Sequence, residues 1–305
     1  MSAGSRGPRV AAVVPVFDGE ALLPSCVEAL LRDANGPDLV LLVDDGSRDR
    51  SVAVAADLVA SGGGRVRLVA LGRNHGFAGA VNRGVACLLA DARPEDVLVL
   101  VNQDCVVREG WLAPLVEALA EPSVAVAGAR LLDADGVTLQ HAGARVEANG
   151  LTSHVGRGST DAGAWREAAD HDYVCGALMA TTVATWRRLG PFDEGYAPAY
   201  FEEVDFCARA RAAGLRVTYV PSCEAVHAGA STSGPGSGLF LRRYHRSRMR
   251  FVARHLLARG RRAAWLAAEL RWLAAQRRAA DVLPALRAYA ALPRLLVEAG
   301  ARRTR

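Results

Sequence analysis

Three acids, Glu202, Glu203 and Asp205, stand in the first turn of a predicted helix within FDEGYAPAYFEEVDFCARARAAG. Complementing a helix dipole takes one or two carboxylates there, so the surplus invites a chemical reading. Glu202 and Asp205 are three residues apart and share a helix face, whereas Glu203 is rotated by roughly 100° from Glu202. Crowded carboxylates raise one another's proton affinity, which prepares one to take a proton from an alcohol. Upstream, VLVLVNQDCVV runs an apolar strand into Asn102, Gln103 and Asp104. In extended geometry Asn102 and Asp104 point to one side, and such a pair can hold a divalent cation that bridges to a diphosphate. A plain turn explains the same residues. LVDDGSRDRS places Asp44 and Asp45 at another strand end. Capping the next helix accounts for one of them; a second carboxylate can accept from the imide N–H of uracil or thymine, or from ribose hydroxyls. NHGFAGAVNRG gathers Gly76, Gly79 and Gly84 around a helix start without the G-x-G-x-x-G spacing, and close packing of helix on sheet competes with a nucleotide role. His227, after VPSCEAV, reads by itself first as a structural hydrogen-bonding group.

These groups need elements to carry them. From Val10 to Val101, short β-branched runs (VAAVVPV, LVLLVDD, VRLVALG, VLVLV) alternate with longer helical patterns, which predicts an α/β fold with a parallel sheet and crossover helices. The strands read as continuous apolar runs, as strands covered on both faces do. Each stops at a polar or Gly-containing group (FDGE, DDGSRD, GRNHG, NQD), so all four stops should share one edge of the sheet, where ligands of open α/β folds bind. Beyond Trp111 the sequence predicts a helix, a strand near VAVAGARLL and an irregular or hairpin-like stretch from Asp133 to Asp161. A strand at YVCGALMATTV, the acid-led helix and a strand at LRVTYVP follow. HAGASTSGPGSG reads as a Gly/Ser-rich loop. From Leu241 the chain turns helical and Ala- and Arg-rich, with Pro284 and Pro293 breaking it into short pieces.

The 305 residues are 51% hydrophobic, enough for one large core or two modest ones. All 37 basic residues are arginine. Residues 241–305 hold 17 of them against Glu269, Asp281 and Glu298, a balance of +14, whereas residues 1–240 carry 20 basic against 29 acidic groups, or −9. The two parts thus face different partners. The six cysteines are scattered without a C-x-x-C pair or a preceding secretory signal, which predicts reduced thiols and a cytoplasmic protein. Uncharged runs fall short of the roughly 18 residues a span requires.

Taken in order, these motifs resemble family-two glycosyltransferases of the GT-A fold. LVDDGSRDRS resembles that family's D-D/N-x-S-x-D-x-S turn, NHGFAGAVNRG its N-x-G-F-A-x-x-N-x-G segment and LVNQD its N-P-D metal motif; FDEGY and EEVDFCAR resemble its F-D-E-x-F and E-D-V-D-L-x-x-R segments, and VHAGAST its late His. The resemblance covers about residues 9–255 and is closest to the rhamnosyltransferase-like branch that builds cell-surface glycans. It implies a catalytic domain over 1–240, with a nucleotide-sugar half at about 9–110 and an acceptor half at about 111–240, followed by a basic helical extension over 241–305. Carried over by position, Pro15, Phe17 and Asp45 border the nucleoside, with Asp45 on the base, and Gly79 and Asn82 line the nucleotide pocket. Asp104 is the main ligand of Mn2+ or Mg2+, Asn102 helps to place the donor, and His227 is a second ligand or a diphosphate contact. Glu203 is the expected general base, and Asp205 shapes the site from the neighbouring face. Two departures stand out. Glu203 replaces the usual Asp, which leaves Glu202 as an alternative base, and Asp18 stands where Asn is common.

The implied reaction is inverting transfer from a nucleoside-diphosphate sugar, with deoxythymidine-diphosphate-rhamnose as the branch's donor, to a hydroxyl acceptor such as a lipid-linked glycan. A natural-product acceptor and a catalytically silent nucleotide-sugar binder are the alternatives. A nucleotidyltransferase on a similar sheet would want a basic Gly-rich phosphate loop, and VVPVFDGEALL is not one. The Arg-rich tail reads either as a solvated helical cap or as a contact with an anionic membrane at the inner face of the plasma membrane, through Trp265, Leu266, Leu270, Trp272 and Leu273 beside Arg261, Arg262, Arg271, Arg277 and Arg278. No nucleic-acid module accompanies it.

Overall fold

A computed structural model describes residues 7–160, 163–229 and 237–301. The apolar runs form β1 (Val10–Val16), β2 (Leu39–Asp44), β3 (Val66–Ala70) and β4 (Val97–Val101), with α1 (Leu23–Arg32), α2 (Ser51–Ser61) and α3 (Gly76–Leu88) as crossovers. These strands lie parallel in the order β4-β1-β2-β3, so their polar stops do share one edge. Alternate residues serve opposite faces. Val14, Leu42 and Val99 pack under α1 and α2, whereas Val13, Leu41, Val43 and Leu100 pack under α3. At Gly84 the helix α3 lies tight against the sheet: a Cβ there would lie 2.6 Å from Val43 and 2.9 Å from Val13 side-chain atoms. We expect Gly84→Val to cost about 1–3 kcal/mol by overpacking, read as a lowered midpoint in urea; a variant as stable as the parent would show that the helix can shift at no cost.

The chain continues through β5 (Cys105–Val107), α4 (Leu112–Ala120) and β6 (Val124–Leu132). The segment expected to be hairpin-like holds β7 (Leu139–His141) and the pair β8 (Ala144–Val146) and β9 (Thr152–His154). After them come β10 (Ala169–Asp170), β11 (Leu178–Thr182), α5 (Val183–Leu189), α6 (Glu202–Ala212) and β12 (Arg216–His227). β11 inserts antiparallel between β4 and β6, and β12 runs parallel to β6, so the sheet as a whole is mixed. Two registers shape the carboxyl edge. β11 starts where β4 ends, with Leu178 opposite Val101, which brings residues 175–177 beside Asn102. An irregularity in β12 between Val220 and Glu224 shifts its register against β6, and beyond it the strand keeps its parallel pairing with β6 while also pairing antiparallel with β5, with His227 opposite Cys105.

The C-terminal region forms α7 (Gly238–Phe251), which continues through a π-helical turn at Val252–Leu256 and a 3-10 turn at Leu257–Arg259, then α8 (Arg262–Ala275), α9 (Ala279–Tyr289) and α10 (Leu292–Ala301). Pro284 does not break this region: it lies inside α9, where its missing N–H removes a single helical hydrogen bond. Pro293 does follow a break, as the second residue of α10. The arginines are only partly solvated. Arg248 and Glu269 form a buried pair at 2.5 Å, with the guanidinium over the Trp272 ring and the Tyr289 hydroxyl donating to Glu269. Arg250 and Arg254 reach Asp193. Trp265 and Trp272 are half-buried rather than displayed; Leu266 and Leu270 are the exposed members of that group. Most of the Gly/Ser-rich loop, and Arg302, Arg303 and Arg305, fall outside the described residues. No described helix is long and apolar enough to cross a membrane.

Candidate active site

A cavity of about 1290 Å3 opens at the carboxyl edge of the parallel strands. It is larger than the roughly 300–1,000 Å3 of a single-ligand pocket, so it has room for two substrates. Pro15 and Phe17 line it at the end of β1. Gln103 fixes this turn: its side chain accepts from Phe17 N at 3.0 Å and donates to Phe17 O at 3.0 Å. Asp18 has φ of +47° and accepts from Arg48 N at 2.7 Å, tying the β1 and β2 loops together. Asp45 lines the same cavity, and its two oxygens accept from His75 N (2.7 Å) and Gly76 N (2.9 Å). Burial raises its pKa against those hydrogen bonds.

Asn102, Asp104 and His227 meet at the end of β4. His227 Nε2 is 3.2 Å from Asp104 Oδ1 and 3.3 Å from Asn102 Nδ2. The other ring nitrogen, Nδ1, lies 2.6 Å from Gln140 Oε1. Gln140 Nε2 donates to Asp133 Oδ1 (2.8 Å) and to His227 O (3.1 Å), so Oε1 can only accept and Nδ1 carries the proton. Nε2 therefore carries the lone pair, which accepts from Asn102 Nδ2 and stands 3.2 Å from the Asp104 carboxylate. Two electron-pair donors this close fit a shared cation, and carboxylate plus imidazole is a donor set that manganese accepts. Cys105 is close, but its thiol donates to Ala177 O at 3.2 Å and burial pushes it well above the usual thiol range, which removes it from the set.

The acid-led helix begins after Tyr200 and Phe201, both left-handed with φ of +82° and +76°. Each such non-glycine residue costs about 1–2 kcal/mol, and backbone strain of this kind gathers where side chains must be aimed. The turn brings both Glu202 and Glu203 to the cavity. Burial raises both carboxyls, and the neighbouring Glu203 charge raises Glu202 further. Backbone groups offset part of the rise at both, those of Gly176, Glu203 and Val204 at Glu203 and those of Tyr200 and Glu202 at Glu202. Glu202 Oε1 is buried without a hydrogen-bond partner, which favours a proton on Glu202.

Three expectations need correction. Asp205 does not reach the cavity. It faces the interior, accepting from Tyr196 Oη (3.2 Å), Arg209 Nε (2.8 Å) and His255 Nε2 (2.7 Å), with Arg254 at 3.1 Å. Glu202, three residues earlier in the same helix, does line the cavity, so the spacing they share does not give them a common environment. Gly79 and Asn82 do not line the cavity either; Asn74, Gly76, Phe77 and Ala80 do. Asn82 clamps the Phe192 backbone from both sides, at 2.9 Å each, and a Cβ on Gly79 would meet His75 at 2.6 Å. Residues that sequence reasoning missed complete the wall: Gln103, His154, Arg157 and Tyr173, together with Tyr244 and His245 of α7. Trp272, which the sequence suggested for a membrane face, lines the cavity instead. Burial pushes His154 down to about 4 and His245 down to about 3, so both rings are neutral.

A family model described as "Glycosyl transferase family 2" matches residues 11–187. The chain is 28% identical over 261 residues to the N-acetylglucosaminyl-diphospho-decaprenol L-rhamnosyltransferase of Mycobacterium tuberculosis, covering 77% of this chain and 79% of that protein. It is 26% identical over 234 residues to the uncharacterized protein y4gI of Sinorhizobium fredii, which is 74% of this chain but only 25% of that relative's length. Among solved structures it is similar in fold to GalNAc-T7 with UDP, GalNAc and Mn2+, with a TM-score of 0.61 at 17% identity over 81% of this chain and 48% of that one. The architecture is that of GT-A glycosyltransferases. The matched span takes in more than half of the 305 residues and includes every strand end from β1 to β4; the chain belongs to glycosyl transferase family 2.

Proposed function

We propose that this chain transfers a sugar, with inversion, from a nucleoside-diphosphate donor to a hydroxyl acceptor. The observation that carries the reading is that one cavity gathers Asp45, the Asn102–Asp104–His227 group and Glu203. Residues 9–110 hold the donor: Pro15 and Phe17 flank the nucleoside, and Asp45 accepts from its base. Asp104 and His227 hold Mn2+ or Mg2+, and Asn102 steadies the diphosphate beside them. When bound, the cation supplies Lewis-acid neutralisation of the leaving diphosphate. Glu203 takes the proton of the acceptor hydroxyl. The acceptor oxygen bonds to the anomeric carbon as the bond from that carbon to the diphosphate oxygen breaks, and the electron pair leaves with the nucleoside diphosphate.

The similarity to a decaprenol-linked rhamnosyltransferase supports a deoxythymidine-diphosphate-rhamnose donor and a lipid-linked glycan acceptor in cell-envelope assembly. Exposed Leu266, Leu270, Leu283 and Leu286 beside the exposed Arg271, Arg277 and Arg287 support contact of residues 241–301 with an anionic membrane surface at its cytoplasmic face.

The test is nucleoside-diphosphate release across a panel of nucleotide sugars, with and without Mn2+ or Mg2+. We expect one donor to raise the melting temperature and to be turned over only with metal. Asp104→Ala should lower turnover at least about 10²-fold, in line with loss of a group that stabilises transition-state charge. A parent protein that is stabilised by no donor under any metal condition removes the reading.

A further inference from the structure

β7 pairs irregularly with β6. Leu139 stands opposite Leu132 and His141 opposite Leu131, so Gln140 is the extra residue of a β-bulge. Bulges re-aim side chains and gather beside active sites. The bulged residue and the one after it are buried, Gln140 at 8% and His141 at 0% exposure, and they reach two different parts of the chemistry.

Gln140 grips His227 at both ends. Its Oε1 takes the Nδ1 proton at 2.6 Å, and its Nε2 donates to the carbonyl oxygen of the same residue at 3.1 Å. Asp133 occupies the second amide hydrogen at 2.8 Å, which prevents the amide from turning over. The ring of His227 is thereby fixed in rotation and in tautomer, with Nε2 toward Asp104. His141 Nε2 accepts from Cys175 N at 3.1 Å. Burial, with His154 beside it, pushes His141 well below the usual range, so the ring stays neutral and able to accept. The next residue, Gly176, lies against the Glu203 side chain, and its backbone offsets part of the rise that burial gives that carboxyl. A Cβ on Gly176 would lie 3.4 Å from Glu203 Cβ, so the base packs directly on the backbone that His141 holds.

We propose that Gln140 and His141 are the positioning residues of the site: Gln140 aims the metal-binding nitrogen of His227, and His141 seats the Cys175–Gly176 backbone against Glu203. The inference rests on the glycosyl-transfer reading of the same site. It predicts that two neighbouring substitutions produce separable defects, an outcome that general loosening of the bulge would not give.

The experiment compares the 305-residue parent chain with Gln140→Leu, Gln140→Asn, His141→Leu and His141→Gln. Mn2+ binding is followed by electron paramagnetic resonance in the presence of a nucleoside diphosphate, and kcat and donor KM by nucleoside-diphosphate release. We expect Gln140→Leu to raise the Mn2+ dissociation constant by about 10–100-fold, the usual cost of removing an outer-sphere partner of a ligating His, with most of kcat regained at saturating Mn2+. Gln140→Asn, one methylene short of His227, should weaken Mn2+ binding in the same way and stands in if the leucine variant does not fold. His141→Leu should leave the Mn2+ dissociation constant and donor KM unchanged while lowering kcat by about 10²-fold, the cost of a misplaced reacting group. His141→Gln retains an acceptor and should recover most of that loss. The proposal is overturned if both Gln140 variants bind Mn2+ like the parent, if His141→Leu keeps full kcat, or if both sites give one shared loss of metal affinity and kcat. A parent that binds no Mn2+ with any nucleoside diphosphate would instead remove the underlying reading, and the inference with it.

Discussion

Glu203→Gln is expected to lower kcat by about 10²–10⁴-fold, the range in which a positioned general base contributes, while the donor still stabilises the folded protein. Glutamine keeps the shape of the side chain and its packing on Gly176 but cannot take the acceptor proton. The companion variant discriminates between the two adjacent acids. Glu202 has a buried, unpartnered oxygen and a neighbour of like charge, both of which favour its protonated form. Glu202→Gln is close in shape and charge to that form and should cost far less than Glu203→Gln. Equal losses, or a larger loss at Glu202, would transfer the role to Glu202. The pH dependence arises from burial of Glu203, which raises its carboxyl above the ordinary range. Activity needs the ionised form, so it is lost as pH falls through that raised value, and the acid limb of kcat/KM should lie above the usual pKa of a glutamate, about 4.3. A limb at or below that value would show that the base is a solvated carboxylate elsewhere.

The donor side of the fold was legible because its signals are local. Apolar runs closed by polar groups locate β1 to β4 and their shared edge, and Asp45 and Asp104 sit where strands must surface. The illegible parts depend on pairings far apart in sequence. His227 meets Asp104 because the end of β12, still paired with β6, also pairs with β5; no spacing within VPSCEAVH encodes that. Helical periodicity placed Asp205 with Glu202, but periodicity says which residues share a face and not what that face meets. The partners that take Asp205 inward lie on α6 itself and some 50 residues downstream. The segment around Asn82 resembles a nucleotide contact, yet the Phe192 backbone, 110 residues away, uses both of its amide groups. Gln140 gave no signal at all, since a bulge is a property of two strands together.

Asp205→Ala should cost about 3–5 kcal/mol of stability, the price of removing one member of a buried charged network. The carboxylate is fully buried and receives Tyr196, Arg209 and His255, with Arg254 against it, so its loss leaves four donors on three segments without their shared acceptor. Those segments join α6, which carries Glu203, to the π-helical turn after α7. Asp193 binds Arg250 and Arg254 nearby, so part of the C-terminal docking should survive and the variant should still fold. Urea unfolding should show a lower midpoint with an unchanged slope. Acid gives an independent check. Burial alone would raise the Asp205 carboxyl, but the His255 hydrogen bond and the charges of Arg209, His255 and Arg254 together hold it well below the usual range. A depressed folded pKa contributes stability that is present in full above the unfolded value, about 3.9, and is lost as pH falls from there toward the folded value. The gap between parent and Asp205→Ala should therefore be widest near neutrality and narrow below about pH 4. A gap of less than about 1 kcal/mol at pH 7, the scale of an exposed pair, or one that does not change with acid, would mean that other contacts hold α6 to the C-terminal helices.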